Sequence, residues 1–465
     1  MTEFASLLQP DRGGPAHAIH LVDKESFADW AKKQNAARKE LLEASRFEGK
    51  NAFQYAVLPA AHGHEWAVVA TVANAAELSP WCLAKLAESL PEGTYRLAEG
   101  DPGPAMLGWL LGQHRLNAYR SKVEDRRGPR VLLTKEAAEI EPMVRAAEAT
   151  ILVRDLVDTP ASDMGPAELE KAASDLAKAH GAKVEVTSGD ALVQGYPMIA
   201  AVGQGATRER APRLIELRWG KDGAPRIAIV GKGVCFDSGG LDIKPAAGMR
   251  IMKKDMGGAA HALALARLIM AERLPVALHV LVPAVENSVS SASYRPGDVL
   301  SSRKGLKVEI DNTDAEGRLV LGDALAKAAE DKPELIIDFA TLTGAARVAL
   351  GPDLPAMFAS DDDLAAALEG AAKAVTDPIW RMPLWDGYDE MLKSDLADLS
   401  NAADSPMAGS ITAALFLRRF VPEGTPWAHF DTFAWRPSAK PGRPKGGDAM
   451  GLRAAFAMLR NRYPS

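Results

Sequence analysis

The run Asp311-Asn312-Thr313-Asp314-Ala315-Glu316-Gly317-Arg318-Leu319 sets two carboxylates two residues apart and an arginine two residues further on. An apolar, helix-patterned segment follows directly. In extended backbone, alternate side chains point the same way, so Asp314, Glu316 and Arg318 are expected to project into one site. Carboxylates crowded together repel unless a proton or a metal cation relieves them. The run therefore points to a metal enzyme built on an α/β fold. Taken alone, it also suits a polar hairpin loop with an Asx turn at Asn312.

Working outward, strand and helix patterns alternate from about residue 160. Residues 226–234 form an apolar, β-rich run ending in glycines, 258–274 a helix, and 276–285 and 307–310 strands. Residues 319–330 read as a helix and 335–340 as a buried strand. Such alternation predicts a mostly parallel central sheet covered on both faces, with the site at the C-terminal ends of its strands. Residues 1–132 mix short apolar runs (55–59, 66–72) with helix-like segments (27–44, 82–90), which predicts a smaller N-terminal α/β domain. The glycine and proline cluster at 100–108 reads as a loop. A helical pattern over 142–157, with Pro142 at its expected start, predicts a linker helix within 133–158. Residues 159–465 then make the larger, catalytic α/β/α domain.

Three further clusters stand out, most of their informative residues after predicted strands. The first is Gly231-Lys232-Gly233-Val234-Cys235-Phe236-Asp237-Ser238-Gly239-Gly240, continuing to Asp242, Lys244 and Pro245. Its glycines let the backbone turn or approach a ligand, although Lys232 alone could be a solvated lysine in a turn. No GxxxxGK[ST] or full GxGxxG is present, which argues against a phosphate loop. The second, Met252-Lys253-Lys254-Asp255-Met256-Gly257-Gly258, sets Asp255 at a helix N-terminus, as a site carboxylate or a plain N-cap. The third is Ala340-Thr341-Leu342-Thr343-Gly344-Ala345-Ala346. Together these supply hard oxygen donors suited to Mg, Mn or Zn. The nine histidines show no metal-ligand spacing. His62 and His64 read as loop residues, and His261, His279 and His429 as core.

Composition narrows the classes. The chain has 465 residues, 47% hydrophobic and 25% charged, enough for two or more domains. A net charge of -6 argues against nucleic acid or an anionic membrane as main partner. Two cysteines, Cys82 and Cys235, cannot form a disulfide framework or a cysteine-rich zinc site. The stretch Met1-Thr2-Glu3-Phe4-Ala5 lacks the pattern of a secretory leader, and no apolar run approaches the ~18 residues of a membrane span. A cytoplasmic protein is expected.

At this point the sequence resembles the M17 leucyl aminopeptidases, also called cytosol aminopeptidases. NTDAEGRL stands complete as Asn312 to Leu319, and VGKG…FDSGG…KP, DMGGAA and ATLTGA follow the family's order. Asp158-Thr159-Pro160-Ala161-Ser162-Asp163-Met164 and Ala408-Gly409-Ser410-Ile411-Thr412-Ala413-Ala414 extend the likeness over the C-terminal two thirds. The resemblance implies hydrolysis of the N-terminal residue, often leucine, from peptides with a free N-terminus. It implies two divalent metal ions per subunit, Mn or Zn with Mg and Co as further options. Lys232, Asp237, Asp255, Asp314 and Glu316 match the ligands, with Asp237 and Glu316 bridging. Lys232 and Asp255 complete the tighter site and Asp314 the exchangeable one. Lys244 and Arg318 match the catalytic lysine and arginine, the latter holding bicarbonate. Met252, Thr341, Leu342 and Gly344 match the pocket for the first side chain, and the assembly implied is a homo-hexamer. Some relatives also bind DNA, and a two-metal phosphoesterase remains a second enzyme class for the bare residues. Where many relatives read HLDIAG, this chain has His429-Phe430-Asp431-Thr432-Phe433-Ala434, then a basic Gly/Pro-rich segment over 440–447. The first 130 residues match none of the family's blocks.

Overall fold

The computed structural model describes residues 2–60, 66–122 and 128–464. His62 and His64 lie outside the described residues. The chain forms two compact units, Met1–Ile151 with Ser438–Lys445, and Leu152–Pro437 with Gly446–Ser465. Among the described residues, no helix is long and apolar enough to cross a membrane.

The smaller unit holds a six-stranded sheet in the order Leu8–Pro10, Arg130–Thr134, Gly93–Leu97, His17–Val22, Ala67–Thr71, Tyr55–Leu58. Only the last pair is antiparallel. The sequence reading of 100–108 as a loop is corrected here, because Ala105–Leu111 is a helix. Its Met106, Leu107, Trp109, Leu110 and Leu111 are buried, and that apolar gain outweighs the local glycine signal. Residues 440–445 belong to this same unit. Gly442 N–H donates to Glu88 at 2.8 Å, and the Arg443 guanidinium lies 4.3 Å from the Trp81 ring centroid.

The helix Ala137–Asp158 carries the chain from one unit to the other, with Pro142 inside it rather than at its start. Only the Pro142 N–H is lost there, while Val144, Ala147, Ile151 and Val153 beyond the break are buried and Ile140 before it is half-buried against the same core.

The larger unit is built on a nine-stranded sheet. Its inner strands Trp427–Asp431, Leu335–Ala340, Arg226–Gly231 and Ala277–Asn287 run parallel, and Gly233–Asp237 also pairs parallel with Ala277–Asn287. Antiparallel pairs lie towards the edges, through Ala356–Ala359 on one side and Arg213–Trp219 and Lys183–Ser188 on the other. The predicted α/β/α core is thus a mixed sheet with a parallel centre. Every residue of Leu335–Ala340 is buried, as a strand covered on both faces requires. Ile336 and Ala340 pack with Leu319, Val320 and Leu321 of the helix Glu316–Glu330. On the other face, Phe339 stacks on His261 of the helix Gly257–Ala271 at 5.5 Å. Gly258 permits that approach: a Cβ there would meet the Phe339 carbonyl at 2.1 Å.

Two buried polar groups lock this unit. Asp448 takes a guanidinium on each oxygen, Arg154 at 2.8 Å and Arg436 at 2.9 Å. Burial opposes its charge, but the two arginines outweigh burial and hold its carboxyl below the usual range. On the sheet, Asp338 accepts from Trp427 Nε1 at 2.7 Å and lies 2.6 Å from His429 Nδ1. Burial disfavours the His429 imidazolium, yet Asp338 and then Asp431 outweigh it and raise its pKa above 6.5.

A folded-state pKa above the unfolded value means stabilisation that is complete below pH 6.5 and lost as pH rises through the folded value. Wild-type protein is therefore expected to lose stability to urea between pH 6 and pH 9. The D338N variant should lose about 3 kcal/mol at pH 6 and show a flatter pH profile. A wild-type profile that does not fall over this range would refute the charged pair.

Candidate metal centre

The site gathers at the C-terminal ends of the inner strands. Lys232 follows Arg226–Gly231, and Asp237 closes Gly233–Asp237. Asp255 sits in a 3-10 turn, Met252–Met256, immediately before the helix Gly257–Ala271. Glu316 opens the helix Glu316–Glu330, where the helix dipole favours a carboxylate. Thr341 and Leu342 follow Leu335–Ala340.

Asp237, Asp255 and Glu316 are buried and each offers an oxygen within 4.8 Å of the others'. The Lys232 ammonium lies 2.6 Å from Asp255 Oδ2 and 2.9 Å from Glu316 Oε1. Lys244 lies 2.7 Å from Asp237 Oδ2 and also pairs with Asp314. Asp314 stands at the more open edge, with about a third of its side chain exposed. Gly317 makes room for Lys232, since a Cβ there would sit 2.7 Å from Lys232 Cε.

The extended reading of Asp314, Glu316 and Arg318 is corrected by this geometry. Asn312 Oδ1 accepts the Asp314 N–H at 2.7 Å, the Asx turn that was the alternative. The chain then enters the helix at Glu316. Asp314 and Glu316 still converge, bridged through Lys244, Asp237 and Lys232. Arg318 Nη1 donates to the Asn401 carbonyl at 2.8 Å, and Glu316 and Asp431 are the charges that act on its guanidinium. Of the predicted pocket residues, Met252 and Thr341 are buried, Leu342 is half-buried and Gly344 is exposed.

The electrostatics show an excess of negative charge. Burial, then Asp237, pushes the Glu316 carboxyl up to about 8 against the pull of Lys232. Burial and Asp237 likewise push Asp314 up to about 6. Burial opposes the Lys232 and Lys244 ammoniums, but the carboxylates around each outweigh it and raise both. Asp255 is buried too, yet Lys232 and Lys254 hold it low. Burial lowers Arg318 to about 10. Among the described residues, Glu316 Oε2 and Asp255 Oδ2 make no hydrogen bond. Asp255 Oδ2 has the Lys232 ammonium alone beside it, at 2.6 Å. Buried carboxylate oxygens left without hydrogen bonds, beside two further carboxylates, fit divalent cations with oxygen preference.

Residues 151–456 match the model of the cytosol aminopeptidase family catalytic domain, and residues 18–128 match the M17 aminopeptidase N-terminal domain. The chain belongs to the cytosol aminopeptidase family. A Geobacter sp. (strain M21) relative named "Probable cytosol aminopeptidase" is 41% identical over 390 residues, covering 81% of this chain and 77% of the relative. A Roseiflexus castenholzii relative of the same name is 43% identical over 370 residues, covering 76% and 75%. The crystal structure of a cytosol aminopeptidase from Coxiella burnetii superposes with a TM-score of 0.92 at 45% identity, over 98% of this chain and 99% of that one. The bottromycin maturation enzyme BotP in complex with Mn gives 0.85 at 31% identity, covering 97% and 100%. Family membership makes this chain a hydrolase of the aminopeptidase class, in a metal-dependent family. It also assigns the N-terminal unit, which motif reading left unmatched.

Several residues that shape the site are given no role by the sequence reading. Asn287 Nδ2 donates to Asp237 Oδ1 at 2.9 Å and to the Thr313 carbonyl at 3.0 Å. Asp242 accepts from Thr313 N–H at 2.7 Å, and Asn401 Oδ1 from Asp311 N–H at 2.9 Å. Asp431 anchors the 341–343 turn through Leu342 N–H and Thr343 Oγ1. These act across long sequence separations and leave no local spacing to read.

Adding Mn or Zn to metal-stripped protein is expected to raise its Tm. The gain should be about 2.7 kcal/mol at a hundredfold excess over Kd, since a ligand of the folded state alone stabilises it. E316Q should flatten that rise in calorimetry. An unchanged Tm with every divalent ion would overturn the fit.

Proposed function

We propose that this chain is a two-metal aminopeptidase that removes a leucine-like N-terminal residue from peptides. The observation that carries the reading is the convergence of Asp237, Asp255 and Glu316 within 4.8 Å, flanked by Lys232 and Lys244. Lys232, Asp237, Asp255, Asp314 and Glu316 would hold the ions, with Asp237 and Glu316 shared between them. The partial exposure of Asp314 supports its place in the exchangeable site. When bound, a metal pair lowers the pKa of water, polarises a carbonyl and takes up a free α-amine, which restricts attack to N-termini.

The chain's own groups do the rest. Lys244, at 2.7 Å from Asp237, brings positive charge to the scissile carbonyl, where it stabilises the developing oxyanion. Arg318, with an unpartnered Nε and its Nη1 fixed by Asn401, is set to hold a small anion such as bicarbonate. Met252, Thr341, Leu342 and Gly344 line the pocket for the first side chain. Thr341 Oγ1 donates to Asp255 Oδ1 at 2.8 Å, coupling pocket wall to ligand. A closed homo-hexamer acting in the cytoplasm completes the reading. Exposed Val348, Trp385, Leu396 and Met407 support burial against further copies.

Hydrolysis of leucyl p-nitroanilide by metal-stripped protein, before and after Mn or Zn, tests this directly, with an N-acetylated control. Cleavage should need metal and a free amine. D255A or E316A should abolish it through lost metal. K244A should keep its metal and lose about 10²–10³ in kcat. Wild-type turnover by D255A would sink the ligand set, and metal loss in K244A would reassign that lysine.

A further inference from the structure

The turn that closes the strand Trp427–Asp431 departs from the family's HLDIAG and carries an aromatic residue, Phe433, at the edge of the site. The Arg347 guanidinium lies over the Phe433 ring, 4.6 Å from its centroid. The Lys254 ammonium lies 5.9 Å from the same centroid and 2.9 Å from Asp255 Oδ1. Phe433 therefore stands beside the carboxylate cluster. Its turn is tied to the pocket segment: Thr432 N–H donates to the Ala340 carbonyl at 2.8 Å, and Asp431 binds Leu342 and Thr343. Arg347 reaches the same pocket from the helix Gly344–Leu350, where a Cβ on Gly344 would lie 3.6 Å from its Nη2.

Two features mark this as a built arrangement. Among the described residues, the Arg347 side chain has no carboxylate or hydrogen-bond partner, only the ring beneath it. A half-buried guanidinium without an acid is poised for an anionic ligand, and an aromatic platform fixes its plane for bidentate binding. Next to Phe433, Ala434 adopts φ 51, in the left-handed region that L residues avoid. Strain of that kind persists where surrounding structure over-determines it, often at ligand sites.

We propose that Arg347, held on the Phe433 ring, is a specificity-determining residue that binds a carboxylate of the peptide substrate. This rests on the aminopeptidase reading above. The carboxylate is either the side chain of an acidic N-terminal residue or the terminal carboxylate of a short peptide. Both present the same planar anion to the guanidinium fork.

The test uses the full-length, Mn-loaded enzyme and two ratios of kcat/KM. One compares glutamyl with leucyl p-nitroanilide, the other leucylglycine with leucylglycinamide. R347M should lower one of these ratios at least tenfold, R347K should restore part of it, and R347E should invert it. F433L, which removes the platform but stays apolar, should lower the same ratio. A fall in the first ratio identifies the side-chain carboxylate, and a fall in the second the terminal one. Ratios unchanged in both R347M and R347E overturn the inference and leave the aminopeptidase reading standing. A wild type that cleaves none of the four substrates overturns both.

Discussion

Everything at the centre of the larger unit answers to one constraint: four carboxylates crowded at the ends of parallel strands must be neutralised. Two lysines do part of this, Lys232 between Asp255 and Glu316, and Lys244 between Asp237 and Asp314. Charges taken from water are tolerated only when paired and hydrogen-bonded. The negative charge that remains fits divalent cations with oxygen preference. Neutral donors are then enlisted to keep the carboxylates in place, among them Asn287 and Thr341.

The fold serves that cluster by making its location rigid. A parallel sheet buried on both faces brings strand ends together at one edge, and the helices Gly257–Ala271 and Glu316–Glu330 begin there. Each helix start therefore lies where negative charge is favoured. The close approach at Gly258 and the space left by Gly317 are small-scale requirements of the same design. Larger side chains at either position would displace a helix or Lys232.

Much of this was legible in the residues, and the failures have physical causes. Lys232 and Asp237 announced themselves because each lies at the end of an apolar run, so motif and strand end coincide, while Asp255, Asp314 and Glu316 stood out by their place at helix starts. The backbone path through 314–318 was misjudged because period two and the first turn of a helix can bring the same carboxylates together. Arg318, two residues into that helix, is fixed by a bond from its Nη1 to the Asn401 carbonyl that no local spacing announces. The 100–108 segment was misread because glycines outvoted an apolar run that tertiary burial converts to helix. Asn287 and Asn401 were invisible because a lone polar residue carries no spacing, and Asp242, although part of its cluster, gave no sign of its bond to Thr313. Phe433 was noticed as a departure, but its stacking partner Arg347 lies on another element and only coordinates join them.

The Asp448 anchor also bears on how the molecule is made. Arg154 and Asp448 are 294 residues apart, and Arg436 shares the same carboxylate. Between Arg436 and Asp448 the chain leaves for the other unit, over Ser438–Lys445, and then returns. A ribosome must therefore release the chain past Asp448 before the two guanidiniums meet their counter-charge. Domain-wise folding from the N-terminus, the usual order during synthesis, can finish neither unit early. Completion of both is deferred until residues 438–448 have been made.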